Sequence, residues 1–165
     1  MICMKYLKLI VVFFVLVSCS NKGEKQANTL LSKSFFFEKS INEVNIIDVQ
    51  NVFLKYQENI ELVKKCVNTI ENEFARRMNN YKGLKKACPN FLTSYDLTKR
   101  NLETEISQLK MLKLDLSNKL VPTDSISYYL EMEEKNLQKI SDDLLDILNL
   151  YDFVTSTNDS LYLPI

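Results

Sequence analysis

Apolar residues recur at every third or fourth position along three stretches of the chain, a spacing that places them on one face of an α-helix. The first predicted helix begins at Asp48, a favourable N-cap, and ends near Asn79 and Asn80, with Gly83 available to close it. The three stripes are Val52, Tyr56, Ile60, Val63, Val67, Ile70, Phe74 and Met78; then Leu92, Tyr95, Leu102, Ile106, Leu109, Leu112 and Leu116; and finally Ile126, Leu130, Leu137, Ile140, Leu144, Ile147, Tyr151 and Val154.

Proline and aspartate mark the ends of the second and third predicted helices. The second helix is predicted to open at Pro89, because proline suits a first turn, and to stop before Pro122. The third is predicted to start at Asp124, and its stripe together with Glu133 alternates by four and three, which is heptad spacing. Three helices of about 30 residues are each about 45 Å long, and short connections make neighbours antiparallel. We therefore predict an all-α fold, an antiparallel up-down-up three-helix bundle with coiled-coil-like packing over residues 48–155.

The segment before the bundle is polar at first and then strongly aromatic. Residues 19–47 are predicted to be a tether. Its first ten residues are polar and are expected to be mobile, as in a flexible linker. The run Phe35–Phe37 follows, and three consecutive Phe in a free linker would form an exposed apolar patch. This run is therefore expected to dock on the bundle as a short extra helix or an extended strap. Residues 156–165 are predicted to be an irregular tail.

The residues up to Cys19 have the layout of an export signal. Lys5 and Lys8 make the start of the chain positive. The unbroken apolar run Leu9–Val17 that follows is too short to span a membrane, which needs about 20 apolar residues. Met1 and Met4 are both candidate starts. The tetrapeptide Leu16-Val17-Ser18-Cys19 resembles the lipobox of bacterial lipoproteins. In that family the cysteine sulfur receives a diacylglyceryl group, the chain is cut just before it, and the new amine is acylated.

The resemblance implies a signal peptide over residues 1–18 and lipidation at Cys19. Because two or more acyl chains hold a protein firmly on a membrane, the mature chain is expected on a membrane of the bacterial cell envelope. Ser20 is not the Asp that typically retains such lipoproteins at the inner membrane. The tether also lacks the acidic cluster that some bacteria use for export to the cell surface. We therefore expect the outer membrane, with the domain facing the periplasm.

Composition narrows the classes of function. The chain has 21 basic and 21 acidic residues, and loss of Lys5 and Lys8 leaves 19 against 21, which gives no reason to expect nucleic acid as a partner. The sequence contains no His, the commonest base for a Ser or Cys nucleophile. It also has no Gly-rich phosphate loop and no His-based metal spacing. We expect a protein that is not an enzyme and that needs no cofactor or metal.

Charge is unevenly distributed along the mature chain. From Val121 onward there are nine acidic and two basic residues, a net charge of −7. Five basic residues, with no acid among them, lie near the predicted turn between the first two helices: Arg76, Arg77, Lys82, Lys85 and Lys86. This basic cluster is a candidate binding site for an envelope protein or an anionic envelope polymer. The alternative is a solvated turn whose cations offset a helix C-terminus.

Two cysteines of the mature domain, Cys66 and Cys88, are a candidate disulfide, because an oxidising compartment permits one. If the first helix runs to Lys82 or beyond, the two Cα atoms cannot approach to bonding distance. In that case Cys66, at the edge of the apolar stripe, simply packs.

Two serines are candidates for O-glycosylation. Asp124-Ser125-Ile126 and Asp159-Ser160-Leu161 resemble the D-S/T-apolar sequon of one group of anaerobic Gram-negative bacteria. Ser160 is the better candidate because it lies in the predicted tail, whereas Ser125 is already explained as part of a helix start.

Carboxylates are abundant on the second and third predicted helices, and any two of them could form a pair: Glu103, Glu105, Glu131, Glu133 and Glu134. Glu133 is of most interest because it falls on the inner stripe. One interpretation is a buried acid with a shifted pKa. The interpretation that we favour places Glu133 near the mouth of the bundle, paired with Lys99 or Lys119.

Together these patterns predict a lipid-anchored envelope protein with a non-catalytic scaffolding or protein-binding role. The alternative is an envelope carrier or inhibitor module that holds an apolar ligand or peptide between its helices. A cavity lined by apolar groups and Glu133 would favour the alternative, and a closed core with one exposed apolar face would favour the first hypothesis.

Overall fold

The computed structural model describes the backbone of residues 3–66 and 72–160, and the side chains of residues 22–66 and 72–158. Over these residues the chain forms helices and no strand, which confirms the predicted all-α helical bundle. The helices are α1 (Cys3–Asn42), α2 (Ile46–Cys66), α3 (Asn72–Lys82), α4 (Leu84–Ser117) and α5 (Ile126–Ser160).

The chain is organised in two compact units, and α4 and α5 contribute to both. The first unit comprises Met1–Glu38 and Asn101–Ser141, so it contains most of α1, the second half of α4 and the first half of α5. The second unit comprises Lys39–Arg100 and Asp142–Ile165, so it contains α2, α3, the first half of α4 and the second half of α5.

The first unit is a three-helix arrangement in which α1 approaches α5 closely at Gly23. A Cβ atom at Gly23 would lie 2.9 Å from Cγ2 of Ile126 and 3.8 Å from methyl groups of Leu116 and Leu130. Gly23 thus lies beside the end of α4 and the start of α5, while Phe35, later in α1, lies 5.5 Å from Lys110, earlier in α4, so the helix order is up-down-up. The core of this unit consists of Ala27, Leu30, Leu31, Leu102, Ile106, Leu109, Leu112, Leu116, Leu130, Leu137 and Ile140.

The second unit is built on an antiparallel hairpin of α2 and α3. The rings of Tyr56 and Tyr81 lie 5.3 Å apart, and the amide of Asn59 donates a 2.8 Å hydrogen bond to the Tyr81 hydroxyl. On α4, Phe91 packs against Tyr151, with ring centroids 6.0 Å apart. The core of this unit includes Ile41, Val44, Val49, Val52, Tyr56, Met78, Tyr81, Leu84, Phe91, Tyr95, Leu144, Ile147 and Val154.

The first predicted long helix is wrong in its length, because α2 and α3 are separate helices whose contacts between Tyr56, Asn59 and Tyr81 show that α3 runs back along α2. The apolar spacing continues across this reversal, so periodicity alone gives no sign of it; the stripe members Val67 and Ile70 lie outside the described residues. Gly83 instead separates α3 from α4, where its N–H donates to the Asn80 carbonyl at 2.9 Å.

Helix starts also differ from the prediction. The side chain of Asn45, and not that of Asp48, caps α2, because its Oδ1 accepts a 3.1 Å hydrogen bond from the N–H of Ile47. Helix α4 begins at Leu84, so Pro89 lies inside it. Only α5 starts close to its predicted position, directly after Asp124 and Ser125.

The segment predicted as a tether is helical as far as Asn42. Gly23 and Ala27 are buried, although the ten residues after Cys19 were predicted to be mobile. The Phe run is helical too, but Phe36 is 66 % exposed. The residue directly before the run, Ser34, is buried. Successive helical residues point about 100° apart, so three consecutive Phe cannot all face one core. At the other end, α5 continues through Val154 and Thr157, which are buried, where an irregular tail was predicted from residue 156.

Candidate functional site

A carboxyl group lies in the core of the first unit. Glu105 of α4 is only 3 % exposed, and its Oε1 atom has no hydrogen-bond partner among the described residues. Its neighbours on α5 are the carboxylate of Glu133 and the amide of Asn136, whose Nδ2 donates to Oε2 of Glu133 at 3.3 Å. Two carboxyl groups and one amide therefore form a polar cluster, which we call the carboxyl pair, between two helices that otherwise pack through apolar side chains.

The carboxyl pair holds a proton at neutral pH. The pKa of Glu105 is raised to about 8, first by burial and then by the hydrogen bond and the charge interaction with Glu133, against a smaller lowering by Asn136. Glu105 is therefore protonated at pH 7 and donates its proton to the Glu133 carboxylate. Glu133 is the more exposed of the two groups.

An open groove of about 440 Å³ begins beside Glu133, where α4 and α5 are joined. Such a volume lies within the range of about 300–1,000 Å³ that ligand sites occupy. The charged side chains that line it are both acidic, Asp115 and Glu133. Its other lining residues are Gln108, Met111, Leu112, Leu120, Val121, Pro122 and Tyr129. We call this feature the α4–α5 groove.

The end of α4 places Leu120 in the α4–α5 groove. Lys119 adopts a left-handed conformation with a φ of 57°. Its N–H donates to the Leu116 carbonyl, and the N–H of Leu120 donates to the Asp115 carbonyl at 2.9 Å. These are the two hydrogen bonds of a Schellman motif, which usually brings an apolar residue back against the helix. Here Leu120 is 68 % exposed and forms part of the wall of the groove.

The pairing of Glu133 with a lysine, which the sequence favoured, is not the one that the structure forms. Glu133 meets Glu105 and Asn136, and neither Lys99 nor Lys119 is its partner among the described residues; Lys99 lies instead 5.9 Å from the Tyr95 ring. The structure thus brings together two of the five carboxylates considered from the sequence. Glu103, Glu131 and Glu134 are exposed on the same two helices.

Glu105 could have been found by the spacing that identified Glu133. It lies three residues after Leu102 and four before Leu109, so it occupies a core position of the heptad pattern on α4. The predicted stripe takes Ile106 at that point, and Glu105 was considered only as one of five carboxylates that could form a pair. Asn136 carries no comparable signal, because only its distance from Glu133 shows its role.

The basic cluster lies at the bend between α3 and α4 and not at the turn of a helical hairpin. Arg76, Lys82, Lys85 and Lys86 are exposed, and Arg77 forms an ion pair with Glu73 one helical turn before it. The ring of Phe153 packs near Gly83 at the centre of this bend. The cluster is therefore a solvated surface beside the core of the second unit.

The two cysteines of the helical domain are free thiols. Cys66 is exposed at the end of α2, whereas Cys88 is fully buried in α4, where burial raises its pKa to about 11. Because Tyr56 lies opposite Tyr81, Cys66 is ten residues beyond the contact in one direction and Cys88 is seven beyond it in the other. The exposed Cys66 and the buried Cys88 therefore lie on opposite sides of this contact, and the disulfide considered from the sequence is not formed.

Three modification sites are predicted from the sequence, lipidation at Cys19 and O-glycosylation at Ser125 or Ser160. The side chains of Cys19 and Ser160 lie outside the described residues. Ser125 is half-buried directly before α5, and its hydroxyl donates a 3.0 Å hydrogen bond to Oδ1 of Asp124. Its carbonyl accepts the first hydrogen bond of α5, from the N–H of Tyr129.

No helix in the described part of the chain combines the length and apolar character that crossing a membrane requires. Comparisons with protein-family models, with curated proteins and with solved structures give no match.

Proposed function

We propose that this chain is a lipid-anchored protein of the bacterial cell envelope that binds a partner protein and catalyses no reaction. The observation that carries the binding role is the α4–α5 groove, an open surface in which Met111, Leu120 and Tyr129 combine with Glu133. Exposed apolar side chains that lie together around one concave surface are typical of an interaction site. The proposed location is the outer membrane, with the helical domain facing the periplasm.

The anchor is proposed from the chain's N-terminal pattern. The residues Leu16-Val17-Ser18-Cys19 follow a positive start and a short apolar run, as in bacterial lipoproteins. Helix α1 is well packed from Gly23 onward, so few residues separate the proposed lipid from the first unit. An anchor this close to the domain would hold the first unit near the membrane surface.

Replacement of Cys19 with Ser tests the anchor. We expect the variant not to incorporate radiolabelled palmitate and to accumulate as a larger unprocessed precursor. We also expect it to be absent from the envelope proteins that detergent extracts. Cys66→Ser is the matched control, because it removes an exposed thiol from the helical domain and should change none of these properties. If Cys19→Ser kept both its label and its mobility, the chain would not be a lipoprotein.

A carrier for an apolar ligand is the second candidate function. It is favoured by the same groove, which is lined by apolar groups and by Glu133, the combination expected for such a carrier. Native mass spectrometry of the protein purified from envelopes separates the two candidates. A bound small molecule that is lost in a Met111→Ser variant would support the carrier, and the absence of bound mass together with a crosslinked protein at Met111 would support the partner-binding role.

The basic cluster is the second candidate surface for a partner, either an envelope protein or an anionic envelope polymer. Four of its five members are exposed, namely Arg76, Lys82, Lys85 and Lys86. Surface charge of this kind mainly accelerates encounter and makes it sensitive to salt. The cluster and the α4–α5 groove belong to different units, so variants of each can be compared independently.

A further inference from the structure

We propose that the α4–α5 groove binds a short amphipathic segment of a partner protein that presents both apolar and Lys or Arg side chains. This inference rests on the proposed binding role and names the chemistry of the partner. A partner segment that is both cationic and apolar fits this groove because its apolar walls and its two acidic side chains lie side by side.

The apolar part of the groove is made by side chains from both helices and from the turn. Met111 of α4 is 56 % exposed, Tyr129 of α5 is half-exposed, and Leu120 of the turn is more exposed than either. Isolated apolar residues on a surface are common, but a contiguous set around one concave surface is typical of an interaction site. A helical segment could place apolar side chains at helical spacing against this set.

The charged part of the groove is acidic. Asp115 and Glu133 line it from the two helices, and no Lys or Arg is among its described lining residues. Lys119 of the turn is exposed but does not line the groove. Within the first unit, the turn and the part of α5 that follow α4, residues 121–141, carry four acidic and two basic groups. Electrostatic complementarity therefore favours a cationic partner over a neutral or acidic one.

The carboxyl pair places an oriented carboxyl group at the groove. Glu105 is buried against Glu133 and hydrogen-bonds to it, and the Glu133 side chain lines the groove. Asn136 donates to this carboxylate from the next turn of α5 and fixes its position. A Lys or Arg side chain of the partner would pair with an acceptor that is already oriented, which lowers the entropic cost of docking.

Binding can be measured with a fluorescein-labelled peptide that carries Leu and Lys at amphipathic helical spacing, titrated with the full chain in a nonionic detergent. A peptide in which Glu replaces every Lys is the matched probe. We expect the Leu/Lys peptide to bind, the Leu/Glu peptide not to bind, and the affinity for the Leu/Lys peptide to fall as salt is raised.

Two pairs of variants locate the binding. Met111→Ser changes the groove, whereas Leu114→Ser removes an equally exposed apolar side chain of α4 that does not line it. Glu133→Gln removes the groove carboxylate, whereas Glu131→Gln makes the same change on exposed α5 surface. We expect each groove variant to raise the Kd at least about fivefold, and each control to change it by less than about twofold.

Several results would overturn the inference. These are no binding of the Leu/Lys peptide by the wild-type chain, equal binding of the Leu/Glu peptide, or equal effects of the groove variants and their controls. A photo-crosslinker at Met111 that joins two copies of this chain would show that the groove is occupied by self-association. If Met111 crosslinks another envelope protein in cells but the Leu/Lys peptide does not bind, the cationic chemistry is wrong and the binding role stands. If neither occurs, the binding role of the groove fails as well.

Discussion

Glu105 occupies a position on α4 where the heptad spacing requires an apolar side chain. The core accepts it because it stays protonated and hydrogen-bonds to Glu133, which removes most of the cost of burying a charge. Glu133, Asn136 and Glu105 are the polar groups that meet between α4 and α5 at this level. A buried group whose protonation differs between the folded and unfolded states makes stability depend on pH.

We therefore expect the free energy of unfolding to contain a term from Glu105 that decreases as pH rises from about 4.5 to about 8. In this window the unfolded chain has lost the Glu105 proton while the folded chain retains it, so each pH unit favours unfolding by up to about 1.4 kcal/mol. Below the window both states hold the proton, and above it neither does, so the term stops changing with pH.

Glu105→Gln should remove this dependence, because Gln is neutral at all pH values and its amide can still donate to Glu133. Urea unfolding across the pH range measures the effect, and the variant should gain stability relative to the wild type as the pH approaches 8. Glu103→Gln, an exposed site on the same helix, is the matched control. Equal pH profiles for the wild type and Glu105→Gln would show that Glu105 is not protonated in the folded protein.

At the scale of helices, the alternation of buried and exposed positions determines which substitutions matter. Along α5 the buried residues Leu137, Ile140, Leu144 and Ile147 follow the heptad spacing, and their neighbours are exposed or half-buried. Leu144 is buried and Leu145 is 58 % exposed, so adjacent residues of one type differ only in what they contact. Substitutions at these two sites therefore separate the effect of buried packing on stability from the effect of helix propensity.

Leu144→Ala should lower the free energy of unfolding by about 2–5 kcal/mol, because it removes buried methyl groups and leaves a cavity in the second unit. Leu145→Ala should change it by less than about 0.5 kcal/mol, since Ala is an even better helix former than Leu and little buried surface is lost. Thermal or urea unfolding followed by far-UV circular dichroism compares the two. Similar destabilisation by both changes would contradict the assignment of the buried face of α5.

At the scale of the whole molecule, charge separates into a basic bend and a largely acidic C-terminal part. Arg76, Lys82, Lys85 and Lys86 are exposed, and the Arg77–Glu73 pair is a surface ion pair within one helix. Pairs of that kind contribute about 0.3–0.5 kcal/mol. The bend is therefore held by the packing of Tyr81, Leu84 and Phe91, which are fully buried, and not by its charges.

Changing Arg76, Arg77, Lys82, Lys85 and Lys86 together to Gln should leave the melting temperature nearly unchanged. If the basic cluster contacts an envelope partner, the variant should also reduce the yield of that partner on purification, and the wild-type contact should weaken as salt is raised. Unchanged yield across the salt range would show that the cluster is only a solvated bend, whereas a large loss of thermal stability would show that its cations hold the fold.

Periodicity of apolar residues was sufficient to predict the helical class and the buried faces of α4 and α5, but α1, which completes the first unit, was predicted as a tether. These properties follow from the sequence because a stripe that repeats every three or four residues must turn inward whichever neighbour it meets. Tyr95, Leu109, Leu130 and Leu144 were assigned to the core in this way and are buried. The same rule identified Glu133 as unusual, since an acid on such a stripe requires a partner.

The tertiary structure alone decided where the chain reverses and which polar groups meet. The spacing from Val63 to Phe74 is equally compatible with a continuous helix and with two helices, so the hairpin of α2 and α3 is selected by contacts such as Tyr56 with Tyr81. The partner of Glu133 is likewise a matter of register between α4 and α5, because Glu105 comes 28 residues earlier in the chain. Sequence spacing determines the face on which a side chain lies, whereas its neighbour across an interface depends on how far one helix is shifted along the other, and that shift is fixed by the packing of both cores.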